Sequence, residues 1–328
     1  MKRNLLLALF VFSVLSVGLY AGGTKDQPSS VAPGSTEAPV KIRLAIQPGD
    51  IQPTLGQELG YFKEEGLDVE LITFSYGPPI IEAFTSKNVD FGLLGDLPAY
   101  SGIANGVDIT IVGTYSTSET HIALAVRDAA NIKKLEDLKG KKVSVPFGSN
   151  SQPLLYLYLQ KAGLKDTEVE IINLSFTDSV AAIATGRIDA TVISEPNLSR
   201  ALHSGGVSQL ATAEGLKLFV NPIIARGEFI TVNPLQTAKL LKILDKAGKW
   251  AKENRDEAAQ IISDFSGVDL ESIKLNIDKR DLNLALPKDR INALVIGADQ
   301  SLSYGLLTQK IDVAGHIDVS YLEAAGIQ

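Results

Sequence analysis

The sequence predicts an α/β protein of two similar lobes, each a mixed sheet flanked by helices. Three observations carry this reading. From Lys41 onward, short β-branched runs alternate with segments of helical period; one strand-helix-strand unit occurs twice; and two stretches offer crossings between the copies.

The runs at 42–46, 69–72, 89–94, 109–112, 143–145, 169–172 and 188–193 read as strands, because continuous apolar character suits strands covered by helices on both faces. Segments 153–162 and 177–185 carry helical spacing, and the Gly66-Leu67 and Gly163-Leu164 pairs close helices. Residues 240–253 form a long amphipathic helix in which Trp250 is expected to pack into the core.

The repeat is specific. Val69-Glu70-Leu71-Ile72-Thr73-Phe74-Ser75-Tyr76 aligns with Val169-Glu170-Ile171-Ile172-Asn173-Leu174-Ser175-Phe176, each after a Gly-Leu turn. Helices at 80–85 and 179–184 then lead to Asn88-Val89-Asp90 and Arg187-Ile188-Asp189. In both copies a strand ends at an acid, Asp96 or Glu195, with Pro98 or Pro196 close behind. Lobe one is expected to comprise 41–116 with 222–328, and lobe two 117–221. The polar stretch Tyr115 to Glu119 and the return at 219–225 are the hinge candidates. Ligands of open α/β sheets sit beyond the carboxyl ends of the strands, so two facing lobes share one cleft.

The N-terminus has a separate logic. Met1-Lys2-Arg3, an uncharged apolar run through Tyr20, and the small residues Ala21-Gly22-Gly23 make residues 1–23 a signal peptide. The alternative is a retained anchor, although the run is short of the ~20 residues that a spanning helix needs. Residues 24–40, rich in Pro, Ser and Gly, form a flexible linker. The chain has no Cys, which excludes lipidation at the cleavage site, disulfides, thiol nucleophiles and zinc-thiolate sites. An exported, periplasmic protein follows, its mature part a monomer. A net charge of −7 argues against nucleic acid, whose phosphates need a basic face.

Several segments resemble a known family. Leu59-Gly60-Tyr61-Phe62-Lys63-Glu64-Glu65-Gly66-Leu67-Asp68-Val69, Val89-Asp90-Phe91-Gly92, Leu135-Glu136-Asp137-Leu138-Lys139-Gly140-Lys141-Lys142-Val143, Gly148-Ser149-Asn150-Ser151, Gly186-Arg187-Ile188-Asp189-Ala190 and the Glu195-Pro196 corner are similar to aliphatic-sulfonate, taurine, nitrate and thiamine-pyrimidine binding proteins of ABC transporters. The likeness is strong over 41–230 and weaker beyond. It implies a type II periplasmic-binding-protein fold that closes over a small polar ligand and delivers it to an ABC permease and its ATPase. Sulfonate or taurine is the first ligand class; a thiamine-pyrimidine or riboflavin-type precursor is the alternative.

The residues themselves point to where the ligand sits. Ser149, Asn150, Ser151 and Gln152 lie between a strand and a helix, where free amides attract anions without a Lys or Arg. In lobe one the candidates are Gln47 after the first strand, Tyr76 and Gly77 before Pro78-Pro79, and Asp96 with Leu97. Tyr115 stands at the exit of lobe one and is read either as a ligand contact or as core. Asp96 and Glu195 have two readings: complements of helix dipoles, or cleft carboxylates that pair with an amino group of a zwitterion.

Catalysis has little support. His121, His203 and His316 are scattered and form no metal or base motif, and no Gly-x-Ser-x-Gly, phosphate-loop or dinucleotide fingerprint occurs. No cofactor, metal or catalytic residue is expected. A pyrimidine-synthase-like enzyme of related fold would need a Cys-rich motif, which this chain lacks.

Overall fold

The computed structural model describes residues 40–328; the expected signal segment, and all of the expected linker except Val40, lie outside the described residues. Ten strands follow in chain order: β1 (Lys41–Ile46), β2 (Asp68–Thr73), β3 (Phe91–Leu93), β4 (Thr110–Ser118), β5 (Ile122–Arg127), β6 (Lys142–Val145), β7 (Glu170–Asn173), β8 (Ala190–Ser194), β9 (Val207–Thr212) and β10 (Phe219–Ala225). They form two five-stranded sheets, ordered β2-β1-β3-β10-β4 and β7-β6-β8-β5-β9. The two orders correspond strand by strand. β1 pairs in parallel with β2 and β3, as β6 does with β7 and β8, while β10 and β5 run antiparallel to β3 and β8. Each sheet is therefore mixed.

The repeat in the sequence has a physical counterpart. Asp90 accepts a bond from the Arg43 amide at 3.0 Å, and Asp189 accepts one from the Lys142 amide at 3.0 Å. In each lobe the Asp thus ties the start of the third strand to the start of the first. Each also takes an Arg at the end of the antiparallel strand, the last residue of β5 or the first after β10: Arg226 on Asp90 at 2.6 Å and Arg127 on Asp189 at 3.2 Å. These guanidinium and amide donors hold the Asp90 carboxyl below its ordinary range despite its burial. The two Gly-Leu turns are also equivalent. Gly66 and Gly163 adopt left-handed φ of 71° and 67°, and the Leu67 and Leu164 amides cap back onto Phe62 and Leu159, each at 2.9 Å.

Removing the Asp90 carboxylate leaves Arg43 and Arg226 without their buried partner. Asp90→Ala is expected to lower stability by about 3–5 kcal/mol, seen as a fall in urea midpoint. Lys87→Ala, which breaks only the exposed Lys87–Glu228 pair, is expected to leave it nearly unchanged.

Three strands were not legible in the sequence: β5, β9 and β10. In β5 the large residues Ile122, Leu124 and Val126 face one core, with Leu154, Leu155 and Tyr158 of the helix Ser151–Lys161. Ala123 and Ala125 face the other, with Ile183, Leu198 and Ala201. The segment is apolar on both faces, with alternation only in side-chain size. The expected hinge stretches lie in strand. Residues 115–118 continue β4, and they pair antiparallel with β10 from Phe219 opposite Ser118. The chain thus crosses between sheets through two adjacent strands.

The C-terminal helices complete the frame. Pro234–Glu253, Arg255–Ser266 and Leu270–Asp278 pack with Ile51–Glu58 around Leu55, Ala247, Ala259 and Ile273. Trp250 is partly buried against that cluster. Among the described residues no helix is long and apolar enough to cross a membrane, and no His/Cys/Asp/Glu cluster could hold a metal ion.

Candidate functional site

A cleft of about 430 Å³ is lined by residues of both sheets' loops and by the C-terminal helices. That volume suits a small molecule. Its walls are chiefly hydroxyl and amide groups, with two carboxylates, Asp50 and Glu195, and two guanidinium groups, Arg200 and Arg280.

Arg280 is the feature that sequence reading missed. It follows the helix Leu270–Asp278, and an isolated two-bond bridge pins its neighbour Asp281 to Thr117 of β4, with both N···O distances 2.9 Å. The guanidinium is thereby brought to the hinge strands. Its Nε donates to Asn276 at 2.8 Å and its Nη1 to Ser116 at 2.9 Å, while Nη2 has no partner among the described residues. No carboxylate lies within ion-pair distance among those residues. A fixed cation of this kind, oriented by two neutral groups, offers one edge to an anion.

A hydrogen-bond chain links this cation to lobe two. Asn221 of β10 donates to Ser116 at 3.0 Å and accepts from Asn150 at 3.0 Å; the Asn150 carbonyl oxygen then accepts from the Leu97 amide at 3.1 Å. Asn150 reaches the start of the helix Asp96–Ala104 because Gly95 has no side chain: a Cβ there would lie 2.0 Å from Asn150 Oδ1.

The expected site residues are distributed as follows. Gln47, Gly77, Tyr115, Ser149, Asn150 and Glu195 line the cleft; Tyr76, Asp96, Leu97, Ser151 and Gln152 do not. Within the Ser149–Gln152 segment, two side chains close the loop on itself: Ser149 donates to Pro146 at 2.7 Å, and Gln152 accepts from the Gly148 amide at 2.7 Å. Tyr115 is buried, and burial raises its hydroxyl above the ordinary range.

Asp96 and Glu195 prove equivalent in a way that their sequence positions foreshadow. Asp96 pairs with Lys217 at 2.8 Å, and Glu195 pairs with Lys279. The first lysine stands on the connection returning from β9, in lobe two. The second stands at the end of the helix Leu270–Asp278, in lobe one. Each lobe thus sends one acid to a lysine of the other. Glu195 additionally accepts from the Ser199 amide and hydroxyl at 3.1 and 2.7 Å, and so caps the helix Asn197–His203. Neither acid is free to take a ligand amine.

Asp50 differs from both. Among the described residues it accepts only from the Gln47 amide, at 2.7 Å, and burial pushes its pKa up to about 7. A raised carboxyl pKa means that the folded state binds the proton more tightly than the unfolded chain does. Stability is then greatest at acid pH and falls as pH rises from about 4 to about 7. Asp50→Asn is expected to raise the melting temperature more at pH 8 than at pH 5, as measured by calorimetry at both. His121 lines the same cleft; burial holds its ring well below its usual pKa and hence neutral, with Nδ1 lacking a partner.

Comparison with known proteins fits this geometry. Residues 51–258 match the family described as NMT1/THI5 like. The chain belongs to the NMT1/THI5-like family. Among its relatives is a protein of Bacillus subtilis (strain 168), provisionally named an aliphatic sulfonates-binding protein, 29% identical over 99% of this chain and 97% of that one. The taurine-binding periplasmic protein of Escherichia coli (strain K12) is 33% identical over 51% of this chain and 52% of its own. Among solved structures, the periplasmic aliphatic sulphonate binding protein SsuA from Escherichia coli superposes with a TM-score of 0.77 at 26% identity, covering 85% of this chain and 92% of that one. The fold of this NMT1/THI5-like protein is therefore that of the periplasmic binding proteins. The desulfurization enzyme DszB shares it at 15% identity and a TM-score of 0.69, covering 87% of this chain and 98% of that one, so the fold by itself does not decide between binding and catalysis.

Proposed function

We propose that this protein is the extracytoplasmic solute-binding component of an ABC importer, and that its two lobes close over a ligand carrying a sulfonate group. The observation that carries the reading is Arg280: a cation in the cleft with no carboxylate partner among the described residues, aimed by Asn276 and Ser116. A sulfonate supplies the missing charge and several acceptors at once. The hydroxyl and amide walls suit the remaining oxygens. The names of the relatives support the same class. A neutral pyrimidine would leave Arg280 uncompensated, which favours the sulfonate over the thiamine-precursor reading. The fold's enzyme members do not extend to this chain through a thiol, since it has no Cys.

Opening and closing would bend the β4–β10 ribbon, and the two lysine–carboxylate pairs already present between the lobes would hold the closed form that the permease meets. A thermal-shift panel tests the ligand class. Alkanesulfonates at a hundred times their dissociation constant should add about 2.7 kcal/mol, with nitrate, bicarbonate, thiamine pyrimidines and riboflavin giving less. Stabilisation by a pyrimidine alone would replace the sulfonate reading with its alternative, and turnover of any compound would replace both.

A further inference from the structure

We infer, on the two-lobe closure proposed above and independently of which ligand is bound, that the helix Lys288–Ser303 is a clasp holding the lobes shut from outside the cleft. Tyr304 is its grip, and the chain adopts the closed form before any ligand arrives.

The helix belongs to lobe one. Leu294 and Ala298 pack into the core of the first sheet, and the Tyr100 hydroxyl donates to the Leu294 carbonyl at 2.7 Å. Its C-terminal end nevertheless reaches lobe two. Tyr304, the residue after its last turn, stacks on Tyr156 of the helix Ser151–Lys161, with ring centroids 5.6 Å apart and planes at 26°. The Tyr304 hydroxyl also donates to Gln160 Oε1 at 3.1 Å. Gly297 makes a second contact with lobe two: a Cβ there would lie 2.9 Å from Tyr100 Oη and 3.3 Å from both Asp96 Oδ2 and Lys217 Nζ. The missing side chain lets the helix press onto the buried Asp96–Lys217 pair. Gly297 and Tyr304 are about two turns apart, so both contacts fall on one side of the helix. Gly297, Tyr304, Tyr156 and Gln160 all stand outside the cleft.

The side of lobe two that is gripped gives the contact its effect. The helix Ser151–Lys161 covers one face of the second sheet through Leu154, Leu155 and Tyr158. The helix Asn197–His203, capped by Glu195, covers the other through Leu198 and Ala201, and Lys279 of lobe one meets that Glu195. The lobes are thus joined on both faces of one sheet. A single contact would serve as a pivot about which they rock. Two on opposite faces leave parting as the motion that breaks both, and parting bends β4 and β10. Tyr156 and Tyr304 are only half-buried, so their rings find water when the lobes separate and the grip is reversible. An aromatic stack and a hydrogen bond together shift such an equilibrium about tenfold.

The chain has no Cys, so two introduced ones can report the separation of the lobes. Thr85→Cys and Ala184→Cys are exposed and end the equivalent helices Gly77–Thr85 and Phe176–Ala184. Spin labels on both, in the full chain without ligand, are expected to give chiefly the short distance of the closed form by electron double resonance. Tyr304→Ala should raise the long population relative to the short about tenfold. Tyr304→Phe and Gln160→Ala lose the same hydrogen bond from opposite lobes and should each raise it about threefold. A chiefly long distance in the wild type overturns the clasp. So does a long population in Tyr304→Ala no larger than in the wild type, when Lys279→Met, which breaks the other link, does enlarge it. One unchanging distance in every variant, Lys279→Met included, removes hinge motion itself along with the clasp.

Discussion

Arg280→Gln is expected to weaken alkanesulfonate binding by about a hundredfold, which corresponds to one charge-assisted pair in a water-poor site. Glutamine retains a donor for Asn276 or Ser116, so the hinge-strand network keeps a link while the charge is lost. Arg200 provides the control. It also lines the cleft, but it is exposed and its only described side-chain partner is Asn197, at 3.4 Å. Solvent screens such a group, so Arg200→Gln should cost less than about fivefold. Isothermal titration of both variants with one alkanesulfonate distinguishes a single oriented anchor from a general electrostatic attraction. Comparable losses would assign the anion to the field of the cleft instead of to one side chain.

The second large effect concerns the crossed acid–lysine pairs. Asp96 and Lys217 are almost fully buried, with side chains 2% and 5% exposed. Asp96→Ala leaves the lysine charge without its partner and is expected to destabilise the protein by about 3–5 kcal/mol. Asp96→Ala with Lys217→Met should recover most of that loss, because an apolar pair carries no uncompensated charge. Denaturant titrations of the two single variants and the double variant measure the coupling. The Glu195–Lys279 pair is half open by comparison, since Lys279 is 22% exposed. Glu195→Gln retains the Ser199 acceptor and should cost less than Asp96→Ala. A double variant as unstable as Asp96→Ala would mean that the pair contributes through shape instead of charge.

The fold was legible where local chemistry repeats. Asp90 and Asp189 were visible as matching marks, and each indeed joins strand starts in its own lobe. The parallel strands announced themselves because each follows a Gly-closed helix or precedes a helix start. Of the antiparallel strands only β4 did, through the run 109–112; β5, β9 and β10 did not. β10 contains Asn221-Pro222 at a register shift, which reads as a break, and β5 lacks polar alternation.

The cleft was legible in part, for a related reason. Gln47, Gly77 and Asn150 follow strand ends, and general α/β rules direct attention there. Arg280 lies in the run Asp278-Lys279-Arg280-Asp281, which looks like a solvated surface. The bridge from Asp281 to Thr117 and the bond from Ser118 to the Lys279 carbonyl carry it inward, and contacts between residues so distant in sequence leave no local pattern. Asp50 resembles an ordinary helix cap for the same reason: the sequence gives its position but not the direction of its carboxylate. Asp96 and Glu195 were recognisable as equivalent, but their lysine partners come from opposite lobes and follow no shared spacing.

A crystal structure of the protein grown with an alkanesulfonate tests the central claim most directly. Sulfonate oxygens should lie within hydrogen-bond distance of the Arg280 guanidinium, between the two sheets, with the Asp96–Lys217 and Glu195–Lys279 pairs intact. A sulfonate bound elsewhere, or an Arg280 whose free edge faces only solvent while ligand occupies the cleft, would contradict the account.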